Sequence, residues 1–380
     1  MSLSDYRFKI DEIDEKLLKL FSERMETCAQ IAAFKKENSL PVLDARRERE
    51  KLQSVLKQTP ESLRDYTPQL FSLIMEMSRS FQNRSIGTDS GLASALKKAI
   101  DETPQLFPES ASVACQGVEG ANSQFACEKL FRSPNIMFLS SFDAVFSSIE
   151  KGLCKYGVIP VENSTAGSVN SVYDLMLRHE FRIVRSVRIK VEHNLLAKPG
   201  TRLEDIREIY SHEQAISQCS AFLGTLKNVR VIPCENTAVA AKRVSESERS
   251  DIAALSSRQC MKYYGLSCVK ENVQNTGDNY TRFICISKAL EIYPGANRTS
   301  LMLTLPHEAG SLYKLLSRLY ALDINLIKLE SRPLPEREFE FMFYFGLDTP
   351  VYSPRLLQLL GELPEACESN HYLGSYSEVF

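Results

Sequence analysis

Polar side chains stand at helical spacing inside otherwise apolar stripes over residues 1–86. One seven-spaced seam runs Ile10, Leu17, Arg24, Ile31, so an arginine takes a core slot. A neighbouring seam, Phe21, Cys28, Lys35, ends in a lysine. Arg24 and Lys35 are separated by about 20° of helical rotation and share a face. Further on, the stripe Ala45, Glu48, Leu52, Val55 holds a carboxylate, and Phe71, Ile74, Ser78 leads to Gln82 one turn later. Buried polar groups are costly without partners. Either they close internal salt bridges, Arg24 or Arg47 with Asp44 or Glu48, or they line a cation-rich pocket able to hold a small dianion. Arg7 lies about 100° around the helix from Arg24. It misses a pocket on its own chain and is placed to reach that of an intertwined partner.

Beyond residue 111, polar residues gather where strands end. In ACQGVEGANSQFA (114–126), Gly117 and Gly120 suit an anion cradle or a plain turn. In GVIPVENSTAGS, Glu162 and Asn163 follow an apolar strand, where ligands sit in open α/β sheets and where helix caps also stand. In IYSHEQAISQCSAFL, Ser211 is the expected helix N-cap, Glu213 and Gln214 occupy the first turn, and Gln218 follows one turn on. His212 reads as structural. In DNYTRFICI, Thr281 and Arg282 stand where a polar loop becomes an apolar strand, with Phe283 in the core.

These groups need elements to hold them. Residues 1–86 contain no glycine, and breaks near Pro41, Pro60 and Pro68 divide them into three helices. The first, from about Asp5 to Asn38, spans on the order of 50 Å and is too long to be covered within such a short segment, so it is expected to pair with a second chain. Residues 87–110 read as a linker with one short helix. Residues 111–290 alternate short β-rich runs with helical ones, which predicts an α/β domain of mostly parallel strands. Residues 297–380 read strand, helix, strand, strand, helix, strand, a ferredoxin-like order.

The bulk properties exclude several classes. A net charge of -2 implies no polyanionic partner such as nucleic acid. No apolar run is long enough to span a membrane. The ten cysteines include no C-x-x-C pair and no His/Cys cluster, so no metal site is expected and the thiols read as small core residues. The charged start, MSLSDYRFKIDEIDEK, has no signal-peptide core and points to the cytoplasm.

Residues 5–85 resemble the all-helical chorismate mutase that is fused to prephenate dehydratase. The strings R-x-K-I-x-x-I-D-E-K-L-L, S-E-R, F-K-K, P-V-L-D-A-R-R-E-R-E and S-x-x-x-Q at 78–82 carry the likeness. It implies a mutase site of Arg24, Lys35, Asp44, Arg47, Glu48, Ser78 and Gln82, with Arg7 given by the other subunit. Lys35 and Gln82 would face the breaking ether oxygen. Rearranging chorismate to prephenate is an intramolecular pericyclic step that needs no nucleophile and no cofactor. It needs a clamp on the compact conformer and donors for the charge building on oxygen.

Residues 112–287 resemble prephenate dehydratase through G-V-E-G-A-N-S, V-E-N-S, H-N-L-L from His193, S-H-E-Q-A, Y-G-L from Tyr264 and N-Y-T-R-F from Asn279. Many relatives carry a histidine after the serine of the first motif. Here the pair is Ser123-Gln124, which rules out a catalytic histidine at that place. The resemblance makes Thr281 catalytic and puts Arg282 close to substrate, with Glu162, Asn163, Ser211, Gln218 and Glu235 lining the cleft. The proton for the departing hydroxyl comes from Thr281 or from Glu162. Finally, Ala309-Gly310-Ser311-Leu312 and Glu330-Ser331-Arg332-Pro333 look like the two motifs of the ACT regulatory domain of this family. They imply L-phenylalanine at a dimer interface and feedback inhibition. The following EREFE run departs from close relatives. The expectation is a homodimer or larger oligomer taking chorismate through prephenate to phenylpyruvate. The alternatives are one live activity beside a degenerate domain, and a non-catalytic amino-acid sensor.

Overall fold

The computed structural model describes residues 2–86, 91–334 and 340–380. Residues 87–90 of the expected linker and 335–339, which include most of the EREFE run, lie outside them. The chain opens with α1 (Leu3–Glu37), α2 (Ala45–Gln58), α3 (Thr67–Ile86) and α4 (Gly91–Glu102). Ser2 and Asp5 form a capping box at the start of α1, and Lys35 and Lys36 face the negative end of its dipole. Asp44 caps α2 by accepting from Arg47 N at 2.9 Å. α1 and α2 both pack against α3. Much of the apolar side of α1 is left open, with Ile10 and Leu17 more than half exposed.

The α/β region has two lobes. β1 (Ser112–Gln116), α5 (Asn122–Leu130), β2 (Asn135–Leu139), α6 (Phe142–Glu150), β3 (Tyr156–Asn163), β4 (Gly167–Ser168), α7 (Asn170–Met176) and β5 (Arg182–Lys190) begin the first. The second holds β6 (Asn194–Ala197), β7 (Glu208–Ser211), α8 (Glu213–Gln218), α9 (Ser220–Leu223), β8 (Arg230–Pro233), α10 (Thr237–Glu246), β9 (Ile252–Ser256), α11 (Cys260–Tyr264) and β10 (Ser267–Lys270). The chain then returns as β11 (Tyr280–Ser287) to the first sheet, between β5 and β3. The sheets are mixed rather than mostly parallel. β11 arrives from the other lobe and runs antiparallel to both neighbours, and β6 runs antiparallel to β9 and β10.

The remaining elements are β12 (Arg298–Thr304), α12 (Ser311–Ala321), β13 (Asn325–Pro333), β14 (Phe341–Asp348), α13 (Pro354–Ala366), β15 (Ser369–Tyr376) and an unforeseen strand, β16 (Glu378–Val379). The four strands β12–β15 form one sheet in the order β13-β14-β12-β15, the ferredoxin-like arrangement. β16 instead pairs parallel with β5 at the edge of the first-lobe sheet.

The chain forms two compact units. One joins Met1–Leu96 to Leu305–Asp323 and Tyr352–Asn370, so that α12 and α13 lie with the N-terminal helices. A buried polar seam ties them to α3. Arg318 Nε donates to Glu76 Oε1 at 2.7 Å, Ser80 Oγ to Glu362 Oε1 at 2.8 Å, and Gln358 Nε2 to Ser80 Oγ at 3.1 Å. The other unit joins both α/β lobes to the four-stranded sheet. Met302, Met342 and Tyr344 of that sheet share a core with Val161, Val172 and Tyr173 of the first lobe. Eight of the ten cysteines are buried, as small core residues are expected to be, and all ten are unpaired. No described helix is long and apolar enough to cross a membrane. The described residues contain no His/Cys/Asp/Glu group suited to a metal ion.

Candidate active sites

In the helical unit, α1 and α3 bring Arg24 to Ser78. The guanidinium donates to Ser78 Oγ and lies 3.5 Å from the carbonyl of Ile74. Lys35 Nζ donates to the Val42 carbonyl at 2.6 Å, which closes the turn between α1 and α2. Gln82 is buried one turn beyond Ser78, and its Oε1 has no partner among the described residues. A buried amide oxygen left unpaired is costly. The internal salt bridges that the sequence left open do not form as expected. Glu48 pairs with Arg79 of α3, and Asp44 spends its carboxylate on the cap of α2. Arg79 is a residue the sequence reading missed, although it directly follows Ser78. Arg47 and Arg7 are exposed.

In the other unit, a hydrogen-bonded cluster forms where the chain crosses between lobes. Asn163 ends β3 and is paired with Thr281 across the ladder. Its amide nitrogen donates to Thr281 Oγ1 at 3.0 Å and to Asn279 Oδ1 at 2.7 Å. Its amide oxygen accepts from Thr165 N at 3.1 Å, Thr165 Oγ1 at 2.7 Å and Ala166 N at 2.9 Å, which folds the loop after β3. Asn279 Nδ2 donates to Gln218 Oε1 at 3.0 Å, and Gln218 Nε2 donates to Thr165 Oγ1 at 2.8 Å. His193 Nε2 lies 2.9 Å from the same Gln218 oxygen, so with the amide set this way the imidazole carries its proton on Nε2. Burial pushes the His193 pKa below its ordinary value, and the Gln218 bond offsets part of that. The cluster is thus neutral. Thr281 Oγ1 accepts from Asn163, and its own proton has no acceptor among the described residues.

Two family models match the chain: chorismate mutase type II over residues 6–83 and prephenate dehydratase over 113–291. The bifunctional chorismate mutase/prephenate dehydratase of Escherichia coli strain K12 is 31% identical over 378 residues, covering 97% of this chain and 95% of that one. The chain belongs to the bifunctional chorismate mutase/prephenate dehydratase family. It is an enzyme with chorismate mutase and prephenate dehydratase domains. The chloroplastic arogenate dehydratase/prephenate dehydratase 2 of Arabidopsis thaliana is 34% identical over 333 residues, 80% of this chain and 87% of the relative. A prephenate dehydratase of Arthrobacter aurescens, solved with L-Phe, superposes with a TM-score of 0.65 at 26% identity, covering 70% of this chain and 89% of that one.

The Thr281 cluster omits several residues that the sequence assigned to the same cleft. Residues along a strand alternate between faces. Glu162 and Arg282 are therefore paired on the face opposite Asn163 and Thr281. There Arg282 bonds Glu162 and Glu378, and Lys328 Nζ lies 3.2 Å from Glu162 Oε2. Burial alone lowers the Arg282 pKa, but the Glu162 and Glu378 charges outweigh it and hold the pKa above its ordinary value. Ser211 is not the N-cap of α8. It ends β7 fully buried, with its hydroxyl donated to the Leu255 carbonyl at 2.8 Å, and His212 caps the helix. Glu235 is exposed beyond β8, in a depression with His212 and Arg243. Conversely, His193, Thr165 and Asn279 join the cluster without having been singled out as site residues. The His-Asn-Leu-Leu and Asn-Tyr-Thr-Arg-Phe strings contained the first and last of them.

Gln124, which follows Ser123 in the first motif, is buried at the start of α5. Its Oε1 accepts from Gly120 N at 2.7 Å and its Nε2 donates to Tyr263 OH at 2.8 Å. Gly117 and Gly120 both have positive φ, and a Cβ on Gly120 would lie 2.8 Å from Cys260 Sγ. The glycines therefore serve a tight turn under α11. Of the two motifs likened to a regulatory domain, Ala309 and Gly310 are exposed, Gly310 caps α12 at φ 89, and Ser311 and Leu312 open that helix half-buried. Ser331 and Pro333 point outward from β13, whereas Glu330 and Arg332 face the first lobe. Arg332 binds Asp174 bidentately at 2.7 and 2.9 Å, and Glu330 meets Lys328 at 3.3 Å.

Proposed function

We propose that the chain converts chorismate to prephenate in the helical unit and prephenate to phenylpyruvate at the Thr281 cluster, with L-phenylalanine as a feedback inhibitor. The mutase reading is supported by Arg24, which is held on Ser78 inside an apolar seam beside the unpaired amide oxygen of Gln82. Arg24, Arg47 and Lys35 bind the two substrate carboxylates and the ether oxygen, with Gln82 beside that oxygen and Asp44, Glu48 and Ser78 ordering the cations. Arg7 comes from a second copy, whose α1 covers the open apolar side of this one. The active form is a homodimer or a larger assembly.

In the dehydratase step the ring carboxylate leaves as CO2. The bonding pair moves into the ring, and the hydroxyl departs as hydroxide, which takes a proton from solvent to become water. Thr281 supplies the hydrogen bond to that leaving oxygen. The carrying observation is that Asn163 occupies the acceptor side of the Thr281 hydroxyl and leaves its proton available. Glu162, the rival acid, faces away and has both oxygens engaged by cations. Asn163 and Gln218 order the cluster. Ser211 and Glu235 are assigned to the cleft by the resemblance alone, and Arg282 holds the strand rather than the substrate.

The regulatory reading rests on the ferredoxin-like strand order, the two motifs and the relative solved with L-Phe. On it, residues 309–312 and 330–333 bind phenylalanine at a dimer interface. The ten unpaired thiols accord with a cytoplasmic enzyme. Titrating the purified protein with L-phenylalanine in a calorimeter while following prephenate turnover tests the regulatory reading. Saturable binding with parallel loss of turnover is expected, and turnover unchanged at saturation would refute it.

A further inference from the structure

We propose that Glu378, supplied by β16, is a positioning residue of the dehydratase: it holds Arg282, and through it the end of β11 that carries Thr281. This rests on the assignment of Thr281 above. Glu378 lies more than two hundred residues from Glu162, and neither dehydratase motif nor regulatory motif contains it.

The geometry is a row of charges running across four strands. Glu162 on β3 is paired with Arg282 on β11, and Arg282 with Arg188 on β5. β16 docks on the outer side of β5, with Glu378 opposite Ser186, and Ser186 N donates to the Ser377 carbonyl at 3.0 Å. From there the Glu378 carboxylate reaches back to Arg282 Nε at 2.6 Å and Arg188 Nη2 at 2.7 Å, with Arg298 Nη2 at 3.2 Å. The Glu378 side chain is 1% exposed. A carboxylate so buried needs these partners, and they need it, since removing one member leaves uncompensated charge inside the protein.

The row matters because of what lies one residue away. The ladder between β11 and β3 slips between Arg282 and Phe283. The ladder with β5 runs unbroken from Tyr280 to Cys285, but on the β3 side Thr281 and Arg282 lie beyond the irregularity. Toward β3, their height and tilt depend on what grips Arg282: Glu162 on one side and Glu378 on the other. Thr281 shares the backbone of that gripped residue and points to the opposite face, where Asn163 meets it. A shift of Arg282 therefore appears as a misaimed Thr281 hydroxyl.

The test uses the full chain and four variants: Glu378→Gln, Arg282→Met, the double variant, and Thr281→Val. Glu378→Gln is expected to lower dehydratase kcat by roughly tenfold to a hundredfold while KM for prephenate moves by less than about threefold, the signature of misplacement rather than lost binding. Mutase turnover on the same chain should stay unchanged. Adding Glu378→Gln to Arg282→Met should cost less than about twofold more, because one grip cannot be lost twice. A folded Glu378→Gln protein with wild-type kcat overturns the proposal, and so do losses that multiply in the double variant. If Glu378→Gln does not fold, Glu378→Asp takes its place. It keeps the charge but cannot span the distance to Arg282, so a wild-type kcat there counts equally against the proposal. Thr281→Val separates the two claims. If it retains dehydratase activity, the Thr281 assignment is wrong. If it is inactive while Glu378→Gln is normal, only the positioning role is wrong.

Discussion

Asn163→Asp is a near-isosteric change that inverts one side of the Asn163 amide and leaves the other alone. The oxygen that folds the loop keeps its three donors, Thr165 N, Thr165 Oγ1 and Ala166 N. The nitrogen that donates to Thr281 Oγ1 at 3.0 Å and Asn279 Oδ1 at 2.7 Å becomes an acceptor. Thr281 must then turn its proton toward the new carboxylate and away from the substrate. Loss of one preorganised donor to developing charge costs about 10²–10³ in kcat, or about 2.7–4 kcal/mol. The Asn279 oxygen, now facing a carboxylate, adds about 1–3 kcal/mol of destabilisation. The assay is prephenate turnover under saturation, with mutase turnover on the same chain as an internal reference and the thermal transition as a fold check. A kcat within threefold of wild type would refute the claim that Asn163 prepares Thr281 to donate. A rise in KM alone would place Asn163 in binding rather than in the chemical step.

Other outcomes follow from single contacts. His193 has a depressed pKa when folded, so the unfolded chain takes up a proton at pH values where the native one does not. Its stability contribution is complete above about pH 6.5 and is lost as pH falls, by up to about 1.4 kcal/mol per unit. Denaturant unfolding at pH 7.5, 6.5 and 5.5 should show this slope, and His193→Asn should flatten it. Arg318→Met strands Glu76, whose side chain is only 9% exposed, and should destabilise the helical unit by about 3–5 kcal/mol in thermal unfolding. Replacing both partners with apolar residues should recover most of that loss.

Much of this was legible in the sequence because periodicity reports which residues share a face. The seven-spaced seam put Arg24 in a core slot of α1, a separate stripe marked Ser78 and Gln82 on α3, and the polar-to-apolar change at Thr281 marked the start of β11. The misplacements have a common cause. Glu162 and Asn163 are neighbours, as are Arg282 and Thr281, and a motif string carries all four together. A strand separates each pair by half a turn, so only Asn163 and Thr281 reach the cluster. Arg79 was missed because helical spacing gives the stripe on α3 but not its rotation against α2. β16 is too short to carry any pattern, and its role depends on Glu378 meeting arginines far off in the chain. Ser211 was read as a cap because the next residue, His212, is an uncommon one, yet its Nδ1 accepts from Gln214 N at 3.3 Å.

The central claim is that two separate sites on one chain act in sequence. Purified protein given chorismate, with prephenate and phenylpyruvate followed separately, tests it directly in wild type, Arg24→Ala and Thr281→Val. The account predicts no prephenate from Arg24→Ala but normal conversion of added prephenate, and prephenate that accumulates without phenylpyruvate from Thr281→Val. Loss of both steps in either folded variant, or full phenylpyruvate formation by Thr281→Val, would contradict it.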